Sequence, residues 1–267
     1  MTFNGWLMYY GGVDIGSAYC KCIIIDEEGI VAKALYPVEG NPQVISQKVV
    51  KDALAPQKLK VKHVKKFVTT GRNRKKFPLK NEEMTEVTCI AKGTYNLLPS
   101  VRTIIDIGAI TNKAIKINEK GKVMEYVIND KCASGSGMFL ELVAKALEME
   151  VQDLGRNAAQ SRNPLSITNQ CTIFAESEVI YLVNEGKSEV DIAAGVCNSI
   201  AGNLYSLLKR VRMEKDITLT GGVANNGQIR RNLEERLNFE LKTFPFDPSY
   251  VAAYGAALFA KEMEKKV

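Results

Sequence analysis

The sequence has little histidine and no long apolar run. Its single histidine, His63, argues against a histidine-based zinc site and against a Ser-His-Asp triad, because both chemistries need imidazole. A membrane-spanning helix needs about 20 consecutive apolar residues, and the apolar segment at residues 6–10 is far shorter. That segment also lacks the charged start and the small-residue cleavage site of a signal peptide. We therefore expect a cytoplasmic protein.

Cysteine is also scarce, at six residues in 267. In the cytoplasm such residues stay reduced, so we expect thiols or metal ligands rather than disulfides. Hydrophobic residues make up 46% of the chain and charged residues 25%. This ordinary globular composition excludes a disordered tail, a collagen-like fibre and a disulfide-stapled mini-protein. The length suits one large domain or two domains of about 100–150 residues each.

The net charge of +6 is unevenly distributed along the chain. One acidic residue, Asp52, lies in the stretch 48–80 (the basic stretch), together with twelve basic residues: Lys48, Lys51, Lys58, Lys60, Lys62, Lys65, Lys66, Arg72, Arg74, Lys75, Lys76 and Lys80. Such a stretch can be a solvated face, or it can attract an acidic protein, an anionic lipid surface or nucleic acid. Because only Phe67 and Phe77 offer aromatic rings there, nucleic acid is disfavoured. We expect neither nucleic acid nor a membrane as partner.

One segment of the chain occurs twice. Residues 13–31 (VDIGSAYCKCIIIDEEGIV) align with residues 105–123 (IDIGAITNKAIKINEKGKV), with nine of nineteen positions identical. Each copy predicts a strand ending in Asp-Ile-Gly, a second strand, a glycine turn and a third strand. Strands alternate with helices after both copies, which predicts an α/β fold of two duplicated lobes. We expect an N-terminal lobe at 1–99 and a C-terminal lobe at 100–267, with a last helix at 250–265 packing back on the N-terminal lobe.

Apolar periodicity locates the remaining elements. It predicts strands at 64–69, 217–220 and 239–243. It predicts helices at 42–54, 82–98, 135–148, 172–184, 190–212, 225–237 and 250–265.

The two Asp-Ile-Gly turns predict a nucleotide site. Asp14 and Asp106 lie at strand ends, where open α/β sheets bind ligands, and glycine lets a phosphate approach backbone N–H groups. The carboxylates would hold Mg²⁺ mostly through water, while Ser17 and Lys21 could contact phosphate oxygens. A third glycine turn at 220–225 follows a strand and opens a helix, so its backbone can pass beside a ribose or adenine. One Asp-x-Gly alone is commonly just a hairpin turn; the repetition favours the functional interpretation.

These turns resemble the phosphate loops of the superfamily that contains sugar kinases, acetate kinase, Hsp70 and actin. The resemblance covers essentially the whole chain. It implies duplicated ribonuclease H-like lobes with ATP in the cleft between them. Neither a P-loop nor a dinucleotide-binding fingerprint is present.

Two cysteines, Cys132 and Cys171, each lie at the start of a predicted helix. A helix N-terminus lowers a thiol pKa and favours an anionic thiolate or cluster. A [4Fe–4S] cluster usually needs four thiolates, which two chains related by a twofold axis would supply. The pattern alone leaves buried inert cysteines, a redox pair or a disulfide open. The other four cysteines are interpreted as core residues, with the first two pointing to opposite faces of one strand: Cys20, Cys22, Cys89 and Cys197.

Within the superfamily, four segments carry a resemblance to one family: DIGSAYCK at 14–21, NDKCASGSG at 129–137, CTIFAESEVI at 171–180 and TGGVANN at 220–226. They resemble the ATPases that activate 2-hydroxyacyl-CoA dehydratases and serve in benzoyl-CoA reductases. In that family two cysteines per subunit hold one [4Fe–4S] cluster between two subunits. Cys132 and Cys171 match those cysteines residue by residue.

The resemblance implies an ATP-driven electron-transfer protein that works as a homodimer bridged by its cluster. With ATP and Mg²⁺, it would pass low-potential electrons from a ferredoxin or flavodoxin to a partner acyl-CoA dehydratase or reductase. The implied metal ligands are Cys132 and Cys171, and the catalytic carboxylates are Asp14 and Asp106. The implied nucleotide-binding residues are Gly16, Ser17, Ala18, Lys21, Gly108, Ala109, Gly135, Gly137, Gly221, Gly222, Asn225 and Gly255.

Some segments depart from the activator pattern, which reads Gly-Gly-Gln-Asp where residues 108–111 are Gly-Ala-Ile-Thr. These residues and 133–137 look more like benzoyl-CoA reductase subunits, whereas 129–131 and 174–178 look more like activators. The alternative is therefore a subunit of a stable benzoyl-CoA reductase-type complex, sharing its cluster with a homologous chain. Two other classes stay open: a small-molecule kinase of the same fold, and a regulatory ATP-binding module that docks through the basic stretch.

Overall fold

A computed structural model describes residues 8–79, 82–129, 136–167 and 172–264. The chain divides into two compact units. The first unit comprises the chain up to Pro99 together with the chain from Tyr250 onward, and the second comprises Ser100–Ser249. No helix within the described ranges is both long enough and apolar enough to cross a membrane.

Strands and helices alternate as the sequence predicts. The described strands are β1 (Tyr9–Ile15), β2 (Tyr19–Ile25), β3 (Ile30–Pro37), β4 (Val64–Thr70), β5 (Glu82–Glu83), β6 (Thr103–Ile107), β7 (Asn112–Ile117), β8 (Val123–Ile128) and β9 (Ile217–Thr220). The described helices are α1 (Pro42–Leu54), α2 (Glu86–Leu97), α3 (Gly137–Ala146), α4 (Leu154–Ala158), α5 (Thr172–Asn184), α6 (Glu189–Arg210), α7 (Gly227–Leu237) and α8 (Val251–Glu264).

The two sheets share one topology. In the first unit the strands lie in the order β3-β2-β1-β4-β5, and in the second unit in the order β8-β7-β6-β9. The first strand of each copy, β1 or β6, pairs antiparallel with the next strand and parallel with a strand from much later in its unit. The duplication read from the sequence is therefore a duplication of strand order and pairing.

One face of the first sheet packs against α1. Cys20, Cys22 and Ile24 lie in one buried cluster with Val49 and Val50 of that helix. The expectation that Cys20 and Cys22 point to opposite faces is wrong, because side chains two residues apart on a strand point the same way. Their interpretation as core residues is confirmed, since both are fully buried.

The other face of the first sheet packs against α8, which also packs on α2. Glycines make these contacts close. A Cβ atom added at Gly255 would overlap the carbonyl oxygen of Cys89, and one added at Gly12 would overlap that of Ala253. Helix packing therefore accounts for Gly255, and its assignment to nucleotide binding stays a prediction.

Two predicted elements differ from the structure, and one short helix of the structure was not predicted. The helix expected at 82–98 begins at Glu86, because the hydroxyl of Thr85 caps it by accepting a hydrogen bond from the N–H of Thr88 at 3.3 Å. The strand expected at 239–243 is reduced to one isolated bridge between Thr218 and Lys242. Helix α4 is absent from the prediction; with five residues it is too short to show a clear apolar period.

Strand β4 divides the basic stretch into two groups. Exposed lysines at positions 58, 60 and 62 precede the strand, and exposed Arg72, Lys75 and Lys76 follow it. A strand of seven residues places its ends about 20 Å apart, and exposed Lys65 lies on the strand between the two groups. Both aromatic residues of the stretch, Phe67 and Phe77, are buried.

Candidate functional site

The first candidate turn, residues 14–18 (the first aspartate turn), connects β1 to β2. Asp14 is buried, and its Oδ2 lies 3.0 Å from Nζ of Lys21. The ion pair follows from the hairpin, since these two residues are direct neighbours in the antiparallel register. Gly16 closes the turn by donating its N–H to the carbonyl of Tyr19 at 3.1 Å. A Cβ atom on Gly16 would lie 2.7 Å from that carbonyl oxygen, so the tight turn requires glycine.

The two carboxylate oxygens of Asp14 differ in their contacts. Oδ1 is buried and makes no hydrogen bond with any residue in the described ranges. A buried, charged oxygen without a partner is costly, and such groups normally receive a hydrogen bond or a cation. Oδ1 is therefore suited to a ligand such as the hydration shell of Mg²⁺, which prefers carboxylate and water oxygens.

The second candidate turn, residues 106–110 (the second aspartate turn), repeats this geometry with fuller pairing. Oδ2 of Asp106 lies 2.9 Å from Nζ of Lys113, and Oδ1 accepts a hydrogen bond from the hydroxyl of Thr220 at 3.0 Å. Gly108 donates to the carbonyl of Thr111 at 3.1 Å. The Asp106 and Lys113 side chains are only 7% and 6% exposed, against 5% and 15% for Asp14 and Lys21. The lysine of the first pair is thus the more accessible one.

We predict that Lys113→Met destabilises the protein by about 3–5 kcal/mol, because it leaves Asp106 as a buried charge without its cation. The matched control is Lys116→Met on the same strand. Lys116 pairs with Glu214 at the surface, and such pairs contribute about 1 kcal/mol or less. Urea denaturation measures both free energies of unfolding. Equal losses in the two variants would contradict the buried-pair interpretation.

The start of α3 is attached to the second aspartate turn. The N–H of Gly137 donates to the carbonyl of Gly108 at 3.0 Å, and the N–H of Met138 donates to that of Ala109 at 2.9 Å. Three residues from the sequence prediction, Gly108, Ala109 and Gly137, therefore come together. These bonds satisfy N–H groups that a helix start otherwise leaves unpaired.

A threonine beside each aspartate is a feature that sequence reasoning misses in the first copy. Thr70 ends β4 and is the parallel neighbour of Asp14, just as Thr220 ends β9 and is the parallel neighbour of Asp106. The signal in the sequence is a Thr-Gly pair directly after a strand in each copy. The sequence prediction includes the pair at 220–221 but not the one at 70–71.

The glycines after these threonines have nearly identical conformations. Gly71 has φ +87° and Gly221 has φ +88°, which is the left-handed region that side chains rarely adopt. A Cβ atom on Gly71 would lie 2.6 Å from the carbonyl oxygen of Ile15, and one on Gly221 would lie 2.8 Å from the carbonyl carbon of Ile107. Each glycine therefore lets the chain turn sharply after β4 or β9, directly beside the aspartate turn of the same unit.

The turn after β9 has an open side. A Cβ atom added at Gly222 would meet no atom within 4 Å. Asn225, also predicted from the sequence, donates its side-chain N–H to Asp247 at 2.9 Å, and the N–H of Gly221 donates to the carbonyl of Pro248 at 3.3 Å. A firmly held turn with open space at one glycine suits the close approach of a flat ring.

The remaining predicted residues fall into two groups. Ser17 and Ala18 lie half-buried in the first aspartate turn, where the carbonyl of Ala18 accepts from the N–H of Val38 at 2.7 Å. Cys132, Gly135 and Cys171 lie outside the described residues.

Four other cysteines lie within the described residues and are buried. Burial raises the pKa of Cys20, Cys89 and Cys197 to about 12, and it also raises the pKa of Cys22. These thiols are therefore protonated near neutral pH when no metal is bound. The described ranges contain no group of three or more His, Cys, Asp or Glu side chains that could hold a metal ion.

Comparison with known sequences gives a consistent result. A model of the BadF/BadG/BcrA/BcrD ATPase family matches residues 12–260. The 2-hydroxyisocaproyl-CoA dehydratase activator of Clostridioides difficile is 37% identical over 269 residues, covering 97% of this chain and 99% of that protein. A benzoyl-CoA reductase subunit of Thauera aromatica is 30% identical over 266 residues, covering 96% of this chain and 94% of that protein.

Comparison with solved structures supports the fold. The activator of 2-hydroxyisocaproyl-CoA dehydratase from Clostridium difficile, solved with bound ADPNP, has a TM-score of 0.91 at 37% identity, covering 97% of this chain and 98% of that one. A ROK family glucokinase from Streptomyces griseus has a TM-score of 0.57 at 13% identity, covering 95% and 99%, which shows a shared fold alone. The expected actin/Hsp70/sugar-kinase-like fold is confirmed. Since the family model matches nearly the whole chain and both relatives reach 30% identity over its length, this chain belongs to the BadF/BadG/BcrA/BcrD ATPase family.

Proposed function

We propose that this ATPase is an iron–sulfur electron-transfer protein that uses ATP binding and hydrolysis to activate a partner acyl-CoA dehydratase or reductase. The observation that carries the ATP-binding part of the proposal is the buried Oδ1 of Asp14, which has no hydrogen-bond partner among the described residues and lies in a glycine turn that the chain repeats at Asp106. Family membership supplies the chemical context for this pair of turns.

Each aspartate turn offers candidate residues for nucleotide binding. Asp14 is the better candidate for the hydrated Mg²⁺, because its Oδ1 is free of protein partners among the described residues. Lys21 is the better candidate for a phosphate contact, because it is more exposed than Lys113. Asp106 would orient the second turn and the attacking water, since each of its oxygens can accept one further hydrogen bond. Gly222, with open space at its Cα, would lie beside the ribose or adenine.

Cys132 and Cys171 would provide the thiolates for a [4Fe–4S] cluster, which supplies a one-electron carrier when bound. The support is the sequence resemblance together with the burial of the other four cysteines, which lie inside the packed protein. With two available thiols per chain, four require a second chain. We therefore propose a homodimer with the cysteines of both copies facing one another.

ATP would act by favouring one conformation over another. A ligand shifts a conformational equilibrium only through its different affinity for the two states. We propose that ATP prefers the state that docks the partner enzyme and that hydrolysis releases it. A ferredoxin or flavodoxin would supply the electron.

A specific observation favours the homodimeric activator over a subunit of a stable reductase complex. The activators from Clostridioides difficile and Acidaminococcus fermentans are 37% and 38% identical to this chain, whereas the Thauera aromatica reductase subunit is 30% identical. The Gly-Ala sequence at 108–109 resembles the reductase subunits. The carbonyls of both residues accept hydrogen bonds from the backbone N–H groups at the start of α3.

The test is anaerobic purification of this chain expressed alone, with iron, sulfide and molar mass measured on one sample. We expect about four iron and four sulfide per two chains, in a dimer that hydrolyses ATP and loses its colour in air. An iron-free monomer that still hydrolyses ATP would contradict the homodimer and favour the heteromeric complex. Co-expression with a homologous chain would then restore the cluster.

A further inference from the structure

The turn after β4 holds one arginine between two fixed neighbours. Gly71 packs closely against the first aspartate turn. A Cβ atom at this position would overlap the carboxylate of Asp14 and the carbonyl oxygen of Ile15. Asn73 donates its backbone N–H to the carbonyl of Ile15 at 2.9 Å and its side-chain N–H to the carbonyl of Gly16 at 2.9 Å. The residue between them, Arg72, therefore has its backbone held against the first aspartate turn.

The next arginine is used to hold this turn together. Arg74 donates its Nη1 to the carbonyl of Gly71 at 3.3 Å, and its carbonyl accepts from the hydroxyl of Thr69 at 3.3 Å. Its Nε also lies 3.7 Å from a carboxylate oxygen of Glu83. Arg72 is different: it is exposed and makes no hydrogen bond or ion pair with any residue in the described ranges. A fixed backbone with an unengaged guanidinium group is suited to an external anion.

A triphosphate is an anion with enough negative charge to attract the guanidinium group of Arg72. Lys21 is already paired with Asp14, so this pair contributes little net positive charge to the turn. Because ATP has a third phosphate, it carries more negative charge than ADP. During hydrolysis further charge develops around this terminal phosphate, and a nearby cation stabilises that charge. A guanidinium group offers several N–H donors in a planar fork that matches phosphate oxygens.

The internal duplication supports the same assignment. The residue after the Thr-Gly pair is Arg72 in the first unit and Gly222 in the second. Glycine leaves open space for a ring, whereas arginine adds a cation beside the first aspartate turn. The two copies of one turn therefore differ at the position that would decide between contacting a nucleoside and contacting a phosphate.

We propose that Arg72 binds the terminal phosphate of ATP and lets the site distinguish ATP from ADP. This inference rests on the proposed function, namely that the first aspartate turn holds the phosphates of ATP.

The experiment compares Arg72→Gln with Lys75→Gln, an equal charge change at another exposed residue of the same turn. Isothermal titration calorimetry with Mg²⁺ measures the Kd of ADPNP and of ADP, and circular dichroism checks folding. For Arg72→Gln we expect ADPNP affinity to fall about tenfold or more, since a charged hydrogen bond is lost. ADP affinity should change less than about twofold, and Lys75→Gln should change neither. Arg72→Lys should be intermediate, because it keeps the charge but loses the planar fork.

Equal losses for ADPNP and ADP, or no loss for either, would overturn the assignment of Arg72 while leaving ATP binding intact. Wild-type protein that binds neither nucleotide would overturn the proposed function, and this inference with it. The two failures are thus separated by the wild-type titration.

Discussion

Replacing Cys132 with alanine is expected to abolish iron binding while leaving a folded ATPase. A dimer of the variant would keep only two of the four thiolates that a [4Fe–4S] cluster usually needs. The purified protein should contain less than about a tenth of the wild-type iron and sulfide, and its visible absorbance should disappear. Cys171→Ala should behave in the same way, because the two cysteines would act as one ligand set.

A buried cysteine provides the matched control. Cys197 is fully buried in the core of the second unit and donates a weak hydrogen bond to Oδ1 of Asn226 at 3.9 Å. Burial raises its pKa to about 12, so this thiol is protonated near neutral pH when no metal is bound. Cys197→Ala should therefore retain the full iron content.

The same samples test whether the cluster joins two chains. If each subunit contributes Cys132 and Cys171, the alanine variants should lose dimer mass together with iron. They should still bind ADPNP, because the two aspartate turns lie elsewhere in the sequence. A full cluster in Cys132→Ala would refute the ligand assignment. Iron loss in Cys197→Ala alone would move the site to the buried cysteines.

The duplicated core could be predicted from the sequence because its repeated residues are close together in the chain. Asp14 and Lys21 recur as Asp106 and Lys113 at the same seven-residue spacing. In a strand-turn-strand unit this spacing makes the two residues cross-strand neighbours, so the ion pair is local. Local hairpins depend on short-range rules that a sequence displays directly.

The parallel partner strands β4 and β9 are harder to predict because they lie far along the sequence from β1 and β6, with which they pair. Thr70 lies 56 residues after Asp14, and Thr220 lies 114 residues after Asp106. The segments around these threonines, TTGRN and LTGGV, share little beyond Thr-Gly. Their equivalence appears only when parallel pairing sets each threonine beside an aspartate.

The predictions of one helix start, one pair of side-chain directions and one strand were wrong, and each error has a local structural cause. Helix α2 begins later than its apolar pattern suggests because Thr85 provides the cap. Cys20 and Cys22 share a face because strand side chains repeat every second residue. The predicted strand at 239–243 has alternating residues, yet only Lys242 pairs with Thr218, and the hydroxyl of Thr218 donates to the Lys242 carbonyl at 2.7 Å. Alternation alone does not make a strand without a full row of backbone partners.

Replacing Asp14 with asparagine is expected to lower ATP hydrolysis by at least about a hundredfold. The amide removes the negative charge that the hydrated Mg²⁺ would contact, while keeping the size of the side chain. Folding should suffer little, since Oδ1 has no protein partner among the described residues and Lys21 retains some contact with water. Steady-state ATPase assays over a range of Mg²⁺ concentrations, with thermal denaturation of the same samples, measure both effects. We expect the Mg²⁺ requirement to rise.

Asp106, the equivalent of Asp14 in the second unit, provides the matched comparison. Asp106→Asn is the same substitution in the same type of turn, but Asp106 pairs with buried Lys113 and accepts from Thr220. Loss of its charge leaves that lysine as a buried cation, which should cost about 3–5 kcal/mol of stability. Asp14→Asn should thus be inactive and stable, and Asp106→Asn should be inactive and unstable. If Asp14→Asn hydrolyses ATP at the wild-type rate, the first aspartate turn does not bind the metal–phosphate group. If both variants lose the same stability, the difference in pairing between the two turns has no energetic consequence, and the separate roles proposed for the two carboxylates fail with it.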